Sequence, residues 1–265
     1  MGDVVKGRAE LYLLTAGVLL LIMLALWRVS LRRRDASIVD PFWGTGFVIV
    51  AWVAAAAVPG AFARRAMLLA MVSIWGLRLS LHLLRRNLGH GEDYRYQAMR
   101  AQHGDRFAWV SLFTVFLLQG VLLWIISMPL QAALSAAEPA SLGVLDFVGA
   151  GAWFAGFLFE AVGDAQLKAF KADPASKGKV LDTGLWRYTR HPNYFGDALQ
   201  WWGFFLVAGA TGAWWTVFSP LVMTVLLRRV SGVTLLEKSI VDRRPGYREY
   251  IARTNAFVPW LPRKR

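Results

Sequence analysis

Seven long apolar stretches constrain this chain more than any other feature of its sequence. A helix that crosses a bilayer needs about 20 mostly apolar residues. The chain offers such stretches at residues 10–27, 42–59, 66–84, 107–134, 142–163, 194–210 and 213–228. Because backbone polar groups in lipid must be satisfied inside each segment, these stretches predict helices. The fold class that we expect is all-α: a polytopic membrane protein with seven transmembrane helices.

Lysine and arginine are distributed unevenly between alternate loops. If all seven stretches cross the bilayer, 25 of the 30 basic residues fall on one side, in segments 28–41, 85–106, 164–193 and the tail from residue 228. The other side holds only Lys6, Arg8, Arg64 and Arg65. Basic loops stay in the cytoplasm. The charges therefore predict an N-terminus outside and a C-terminus in the cytoplasm.

The composition narrows the possible functions. The chain has no cysteine, which excludes disulfides, thiolate metal sites and cysteine nucleophiles, and we expect no metal site. Hydrophobic residues make up 56% of the chain, which a soluble protein of this size cannot cover. The net charge of +13 fits basic loops at an anionic membrane surface. We therefore expect membrane lipids, and no nucleic acid, as partners, while the oligomeric state is left open.

The C-terminal tail and the lack of internal divisions complete the predicted architecture. Residues 231–255 mix apolar and basic side chains, a pattern typical of an amphipathic helix at the membrane interface. This helix would lie on the cytoplasmic side. No internal repeat or low-complexity linker divides the sequence. We expect one integral membrane domain over residues 1–265.

A carboxylate opens the second apolar stretch, at Asp40-Pro41-Phe42-Trp43-Gly44. An acid just before a helix-starting proline is an ordinary N-cap. An ionisable group at the edge of the hydrocarbon is also a candidate for function, because placing it there is costly. Asp40 is thus either a helix cap or a proton-donating acid.

The loop after the third stretch is rich in glycine, charge and aromatic residues. It runs Arg85-Arg86-Asn87-Leu88-Gly89-His90-Gly91-Glu92-Asp93-Tyr94-Arg95-Tyr96. Arginine suits the bidentate recognition of phosphate, and tyrosine can stack on an adenine ring. Arg86, Arg95 and Tyr96 are therefore candidate site residues.

A second polar segment precedes the sixth stretch and carries the strongest signal. It contains Arg190-His191-Pro192-Asn193-Tyr194, with Lys168, Lys171, Lys177 and Lys179 upstream and Asp197 downstream. Arg, His and Asn at the start of a helix make a good anion site, because backbone N–H groups also point outward there. A juxtamembrane lipid-binding cluster explains the lysines but not this polar turn.

At these residues the chain resembles a known family. The run 180–196, the following helix and Tyr247…Tyr250…Phe257-Val258-Pro259 resemble the C-terminal domain of the steroid 5-alpha-reductase superfamily. The segments 40–44 and 91–96 are similar to its bacterial branch, for which the location would be the inner membrane. The resemblance implies a seven-helix bundle that encloses NADPH from the cytoplasmic side, held by the C-terminal half, about residues 142–265.

The resemblance also implies roles for individual residues. Asn193, Tyr194 and Asp197 match the pattern that holds the nicotinamide end of the cofactor, and Asp40 matches the acid that polarises a substrate carbonyl. Asp40 and Arg86 are the expected catalytic residues. The expected cofactor-binding residues are Arg95, Tyr96, Asp164, Lys168, Lys171, Lys179, Arg190, His191, Asn193, Tyr194, Asp197 and Arg228.

The implied reaction is the reduction of an activated C=C bond in a small hydrophobic substrate, such as a 4-en-3-one steroid, that enters from the bilayer. The carbonyl oxygen would accept a hydrogen bond as enolate charge develops. The chain departs from the family at one position, since ketosteroid enzymes carry a tyrosine where this chain has Leu83. Tyr94 and Tyr96 are candidate replacements.

A rival family shares the turn Arg190-His191-Pro192-x-Tyr194-x-Gly196. Membrane methyltransferases that resemble isoprenylcysteine carboxyl methyltransferase bind S-adenosylmethionine with related C-terminal helices. Their tail usually carries two adjacent glutamates, whereas this chain has the single acid Glu237. The lysines between 168 and 179 suit a phosphate-rich dinucleotide better than a sulfonium cofactor. The sequence therefore favours the reductase.

Overall fold

The computed structural model describes residues 2–230, 233, 237, 240, 241, 244 and 246–263. The described residues form an all-helical protein with 79% helix and no strand. The chain divides into two compact units. Unit 1 comprises residues 1–143 and 210–213, and unit 2 comprises residues 144–209 and 214–265.

Unit 1 is built from seven α-helices. They are α1 (Gly2–Arg33), α2 (Val39–Ala57), α3 (Phe62–Asn87), α4 (Tyr94–His103), α5 (Phe107–Ser111), α6 (Leu118–Ile126) and α7 (Met128–Leu134). A π-helical segment, Leu112–Leu117, joins α5 to α6. The helix is interrupted at Ser127 and resumes with Pro129 in the first turn of α7, because proline cannot donate the backbone hydrogen bond that an uninterrupted helix needs.

Helices α2 and α3 approach closely where two glycines face each other. A Cβ on Gly44 would lie 2.2 Å from the Gly76 carbonyl oxygen, and a Cβ on Gly76 would lie 2.6 Å from the Gly44 carbonyl oxygen. Small residues allow such backbone contact in membrane proteins, where van der Waals packing rather than the hydrophobic effect holds helices together. Phe47 and Trp75 are fully buried nearby in the same pair of helices.

Unit 2 contains α8 (Val144–Ala172), α9 (Pro192–Gly209), α10 (Phe218–Val225) and α11 (Tyr247–Arg253). A π-helical segment, Leu226–Val230, follows α10. Helices α8 and α9 pack through glycines spaced seven residues apart. Gly149 and Gly156 on α8 contact Gly203 and Gly196 on α9, respectively.

Among the residues that the structure describes, five helical segments are long and apolar enough to cross a membrane. They are Gly7–Arg33, Ala36–Ala57, Phe62–Asn87, Tyr94–Ile126 and Val144–Ala172. The protein is therefore a multi-pass membrane protein, as the sequence predicts. The stretches expected to form the sixth and seventh spans correspond to the shorter helices α9 and α10, and their crossing stays a prediction.

The structure describes only part of the predicted tail helix. Of residues 231–255, helix α11 covers Tyr247–Arg253, and most of residues 231–245 lie outside the described residues. Tyr247 and Tyr250 of α11 are buried, and the Tyr250 hydroxyl donates a hydrogen bond to the Trp186 carbonyl. The described part of the tail therefore packs on its own unit.

Candidate functional site

In unit 1, a network of polar side chains surrounds Asp40. The Tyr96 hydroxyl donates to Asp40 Oδ1 at 2.7 Å, and Arg95 Nη2 donates to Asp40 Oδ2 at 2.8 Å. Gln119 Nε2 donates to the Tyr96 hydroxyl oxygen at 3.4 Å. Tyr96 is only 6% exposed, and the Asp40 side chain is 13% exposed. Both carboxylate oxygens thus have a donor in a largely buried setting, as a charge at a membrane helix end requires.

Helix α4 begins where it does because Asp93 caps it. The Asp93 carboxylate accepts a hydrogen bond from the Arg95 backbone N–H at 3.0 Å, which is the usual role of an N-cap aspartate. This places Arg95 and Tyr96 in the first turn of α4. Asp93 Oδ1 also accepts from Arg95 Nε at 2.8 Å, so that one guanidinium bridges Asp93 and Asp40.

The interpretation of Asp40 as an N-cap is wrong. Helix α2 begins at Val39, and its N-cap residue is Ile38. A 3-10 turn, Ala36–Ile38, precedes the helix and is capped by Asp35, whose carboxylate accepts from the Ser37 N–H at 2.9 Å. Asp40 therefore lies inside the first helical turn, and its side chain is available to Arg95 and Tyr96.

Glu92 ties the loop before α4 to the start of α2. Its carboxylate accepts from the Ala36 N–H at 2.8 Å and from Arg100 Nε and Nη2 at 2.9 and 2.8 Å. Burial alone would raise the pKa of Glu92, but the hydrogen bonds from Arg100 and Ala36 outweigh it and lower that pKa. The charged carboxylate is therefore the favoured form, and it joins α4 to the 3-10 turn that precedes α2.

Arg86, the other expected catalytic residue, is exposed in the last turn of α3. Its Nε donates to Asn87 Oδ1 at 3.2 Å. Burial raises the pKa of Asp93, but the hydrogen bonds from Arg95 and the charges of Arg95 and Arg86 lower it overall. Arg86 thus acts on the Asp40 network through its charge. Its catalytic role stays a prediction.

In unit 2, a hydrogen bond joins two predicted cofactor-binding residues, one on α8 and one on α9. Asn193 Nδ2 donates to Asp164 Oδ1 at 3.0 Å, and Asp164 is buried. Lys168 and Lys171 follow on the face of α8 that carries Asp164, because residues four and seven positions apart share a helix face. Both lysines are exposed. The arrangement is a partly buried amide–carboxylate pair, with two exposed lysines further along the same face of α8.

The Glu237 carboxylate contacts the side chains of both Arg190 and His191. Its carboxylate accepts from Arg190 Nε and Nη2 at 2.7 and 3.0 Å and lies 3.0 Å from His191 Nε2. Arg190 Nη1 also donates to the Ile251 and Thr254 carbonyls. Burial raises the pKa of Glu237, but the hydrogen bonds from His191 and Arg190 outweigh it and lower that pKa to about 2. Glu237 is therefore a permanent anion at neutral pH.

The remaining expected cofactor residues lie in different settings. The Tyr194 ring stacks on His191, with centroids 5.6 Å apart and an interplanar angle of 4°. Asp197 is buried one turn further along α9. Arg228 lies over the Phe257 ring, 5.6 Å from its centroid. Lys179 is exposed in the loop between α8 and α9.

Two contributors were not among the expected site residues. Glu237 is the acid that engages the Arg190-His191 turn, and Gln119 extends the Asp40 network. Both residues are conspicuous in the sequence, because Glu237 is an acid within a basic tail and Gln119 is a polar residue within an apolar stretch. Their partners lie 46 or 47 and 23 residues away in the chain, and sequence spacing does not reveal such pairings.

The fold and the two polar clusters define a class: a multi-pass helical membrane protein with a buried acid–phenol pair at a helix start. The chain belongs to the family described as "Protein of unknown function (DUF1295)", whose model matches residues 26–254. This is a steroid 5-alpha-reductase-like family.

The chain is also similar to two curated proteins. An uncharacterized protein of Schizosaccharomyces pombe is 27% identical over 279 aligned residues, which cover 89% of this chain and 76% of that protein. The Delta(14)-sterol reductase of Ascobolus immersus is 34% identical over 110 residues, which cover 36% of this chain and 26% of that enzyme. No solved structure gives a significant match.

Proposed function

We propose that this protein is a membrane-embedded, NADPH-dependent reductase of an activated C=C bond in a lipid substrate such as a 4-en-3-one steroid. The observation that carries the proposal is the buried pair in which the Tyr96 hydroxyl donates to Asp40 at 2.7 Å. A phenol that a carboxylate positions in a largely buried site can donate a hydrogen bond to a carbonyl oxygen and polarise it. The partial likeness to a sterol reductase supports the same reaction class.

Tyr96 supplies the hydrogen-bond donor that Leu83 cannot supply. When a substrate carbonyl is bound, the hydroxyl proton that Asp40 accepts in the free protein turns to the substrate oxygen. Asp40 keeps its ion pair with Arg95, at 2.8 Å, so that the carboxylate is not left buried and unpaired. The donor then stabilises the negative charge that develops on the oxygen as a hydride adds to one carbon of the C=C bond. A proton taken up from solvent at the other carbon completes the reduction.

The residues of unit 2 fit a dinucleotide. Exposed Lys168 and Lys171 suit phosphate groups, and the Asn193 amide, oriented by Asp164 at 3.0 Å, suits the nicotinamide carboxamide. When bound, NADPH would supply the hydride. Arg190 already donates to Glu237 and to two backbone carbonyls. We therefore assign it a structural role, in which it fixes the conformation of the Arg190-His191 turn rather than binding the cofactor.

The proposal includes a topology. All seven apolar stretches cross a bacterial inner membrane, the N-terminus lies outside, and the cofactor residues face the cytoplasm. The basic segments lie where the positive-inside rule requires them.

Cofactor binding tests the proposal directly. The protein is purified in mild detergent, and its thermal unfolding is measured with NADPH and, separately, with S-adenosylmethionine. A cofactor at a hundred times its Kd stabilises the folded state by about 2.7 kcal/mol. We expect stabilisation by NADPH, and NADPH oxidation on addition of a 4-en-3-one steroid. Stabilisation by S-adenosylmethionine alone would favour a methyltransferase instead.

A variant of Asp40 separates chemistry from cofactor binding. In Asp40→Asn the amide keeps the shape of the side chain but loses the charge that pairs with Arg95. We expect turnover to be abolished while the stabilisation by NADPH is retained. Loss of NADPH binding in this variant would show that Asp40 supports the structure rather than the reaction.

A further inference from the structure

An open apolar groove in unit 2 is not used by the proposed chemistry. It has a volume of about 490 Å³, and its described lining residues are Phe159, Leu185, Tyr188, Pro259, Trp260 and Leu261. The Tyr188 hydroxyl and the Trp260 indole N–H are the polar side-chain groups of this set. A groove with such a lining suits a hydrocarbon chain rather than a polar ligand.

The depth of the groove in the membrane follows from the position of Phe159. This residue lies on α8, which is one of the five candidate spans. The apolar stretch of α8 ends near residue 163, about 6 Å further along the helix at 1.5 Å per residue. The part of the groove lined by Phe159 therefore lies near the edge of the hydrocarbon region.

The outer wall of the groove is an ordered, non-helical segment with exposed apolar side chains. The backbone N–H of Trp260 donates to the Tyr188 carbonyl at 2.9 Å, and the backbone N–H of Arg263 donates to the Arg253 carbonyl at 2.9 Å. These bonds hold the segment in place, yet the Trp260 and Leu261 side chains are 70% and 73% exposed. Exposed tryptophan and leucine beside a spanning helix are typical of a surface that contacts lipid.

Basic residues flank this wall. Arg187 directly precedes Tyr188, and Arg263 follows Leu261 by two positions; both are exposed. Arg253, which accepts the Arg263 N–H, is paired with Asp182. An apolar groove whose lining residues have exposed arginines close by in the chain is complementary to a molecule with a hydrocarbon chain and an anionic phosphate.

We propose that the groove binds one acyl chain of an anionic membrane phospholipid, with the lipid phosphate at Arg187 and Arg263. The bound lipid covers Trp260 and Leu261 and fastens the C-terminal segment to the membrane surface. The groove shares no residue with the Asp40 network, and the inference does not depend on the proposed reaction.

Lipid retention measured by native mass spectrometry tests the proposal. The full chain in mild detergent is titrated with phosphatidylglycerol, with phosphatidylcholine of the same acyl chains, and with glycerol 3-phosphate as a head group without a chain. The test variant is Leu261→Glu. Its matched control is Val258→Glu, which places the same charge at a position 58% exposed on the same segment but outside the groove lining.

We expect tight phosphatidylglycerol binding by the wild type and by Val258→Glu, and binding weakened about tenfold or more in Leu261→Glu. Arg263→Gln should reduce the preference for phosphatidylglycerol over phosphatidylcholine, whereas Arg248→Gln, an exposed arginine of α11, should not. If Leu261→Glu does not fold, judged by its thermal unfolding, Trp260→Ala gives the same comparison.

Three outcomes would overturn the proposal. Equal loss of binding in Leu261→Glu and Val258→Glu would show that the added charge itself, and not its position in the groove, weakens lipid binding. Equal binding of phosphatidylcholine and phosphatidylglycerol by the wild type would show that the protein does not recognise the anionic head group. Displacement of the lipid by glycerol 3-phosphate would identify a phosphate site that does not need the acyl chain.

Discussion

Tyr96 has a single hydroxyl proton, and Asp40 accepts it at 2.7 Å. Arg95 holds the other oxygen of the same carboxylate, and the Gln119 amide donates to the phenol oxygen. The phenol is therefore held in one orientation by a partner on each side. The phenol oxygen is thus already in place, and only its proton has to turn from Asp40 to a bound carbonyl oxygen; a donor positioned in this way stabilises developing charge.

Removing the hydroxyl of Tyr96 should affect the reaction more than the fold. For Tyr96→Phe we expect kcat to fall by about 10²–10³, the cost typical of one lost oxyanion donor, with an unchanged Kd for NADPH. The measurement is NADPH oxidation with an enone substrate. Tyr94→Phe is the matched control, because Tyr94 lies two residues away and is 67% exposed. Equal loss in both variants would contradict a specific role for Tyr96.

Glu237 makes the stability of unit 2 depend on pH in the acid range. Its pKa of about 2 in the folded protein lies below the ordinary value of 4.5. The unfolded chain therefore binds a proton first as the pH falls, and protonation favours unfolding. The stabilisation by Glu237 is complete above about pH 4.5 and is lost as the pH falls through about 2.

Thermal unfolding followed as a function of pH measures this effect. We expect the Tm of the wild type to fall between pH 5 and pH 2, and Glu237→Gln to have a lower Tm at pH 7 with a weaker dependence on pH. Glu10→Gln, at an exposed position in α1, should follow the wild-type curve. A Glu237→Gln curve parallel to that of the wild type would exclude Glu237 as the source.

At the scale of helices, the contact between α8 and α9 depends on glycine. A Cβ on Gly196 would lie 2.4 Å from the Gly156 carbonyl oxygen and 2.5 Å from the Glu160 nitrogen. Both are backbone atoms of α8, which cannot move aside as a flexible side chain would. The same contact positions the first turn of α9 against α8, and this turn carries Asn193 and Tyr194.

The substitution Gly196→Ala should therefore separate the two helices. Overpacking of this kind costs about 1–3 kcal/mol, or more where backbone must shift, and we expect a lower Tm together with weaker NADPH binding. Gly151→Ala on α8 is the control, because a Cβ there meets nothing within 4 Å. An unchanged Tm in Gly196→Ala would mean that α8 and α9 do not pack as closely as described.

At the scale of the whole molecule, the proposed seven crossings set which loops reach the cytoplasm. Because the natural chain has no cysteine, single cysteines can report the side on which each loop lies. Intact cells are treated with a membrane-impermeant maleimide. We expect labelling at Glu138→Cys and Thr211→Cys, and labelling of Lys177→Cys only after permeabilisation.

Position 211 distinguishes the alternatives. If α9 and α10 both cross, Thr211 lies outside with Glu138. Labelling of Thr211→Cys only in permeabilised cells would show that these two helices do not cross and that the five longer helices account for the spans. Labelling of Lys177→Cys in intact cells would reverse the proposed orientation.

The sequence by itself determined the helical class, the multi-pass membrane character and the segments that hold polar residues. These properties are local, because a bilayer forces each crossing segment to satisfy its own backbone hydrogen bonds and to be apolar along its length. Asp40, Tyr96 and the Arg190-His191 turn stood out for the same reason, since polar groups beside apolar stretches are conspicuous.

Only the tertiary structure decided which polar groups are partners. Tyr96 and Asp40 lie 56 residues apart in the chain, and Glu237 lies 46 and 47 residues from His191 and Arg190. Helix periodicity relates residues three or four positions apart, and it contains no information on contacts between helices. Those contacts follow from how helix surfaces pack, as at Gly44 and Gly76. The sequence left Asp40 as either a helix cap or a functional acid, and the tertiary structure shows it as a largely buried acid with two donors.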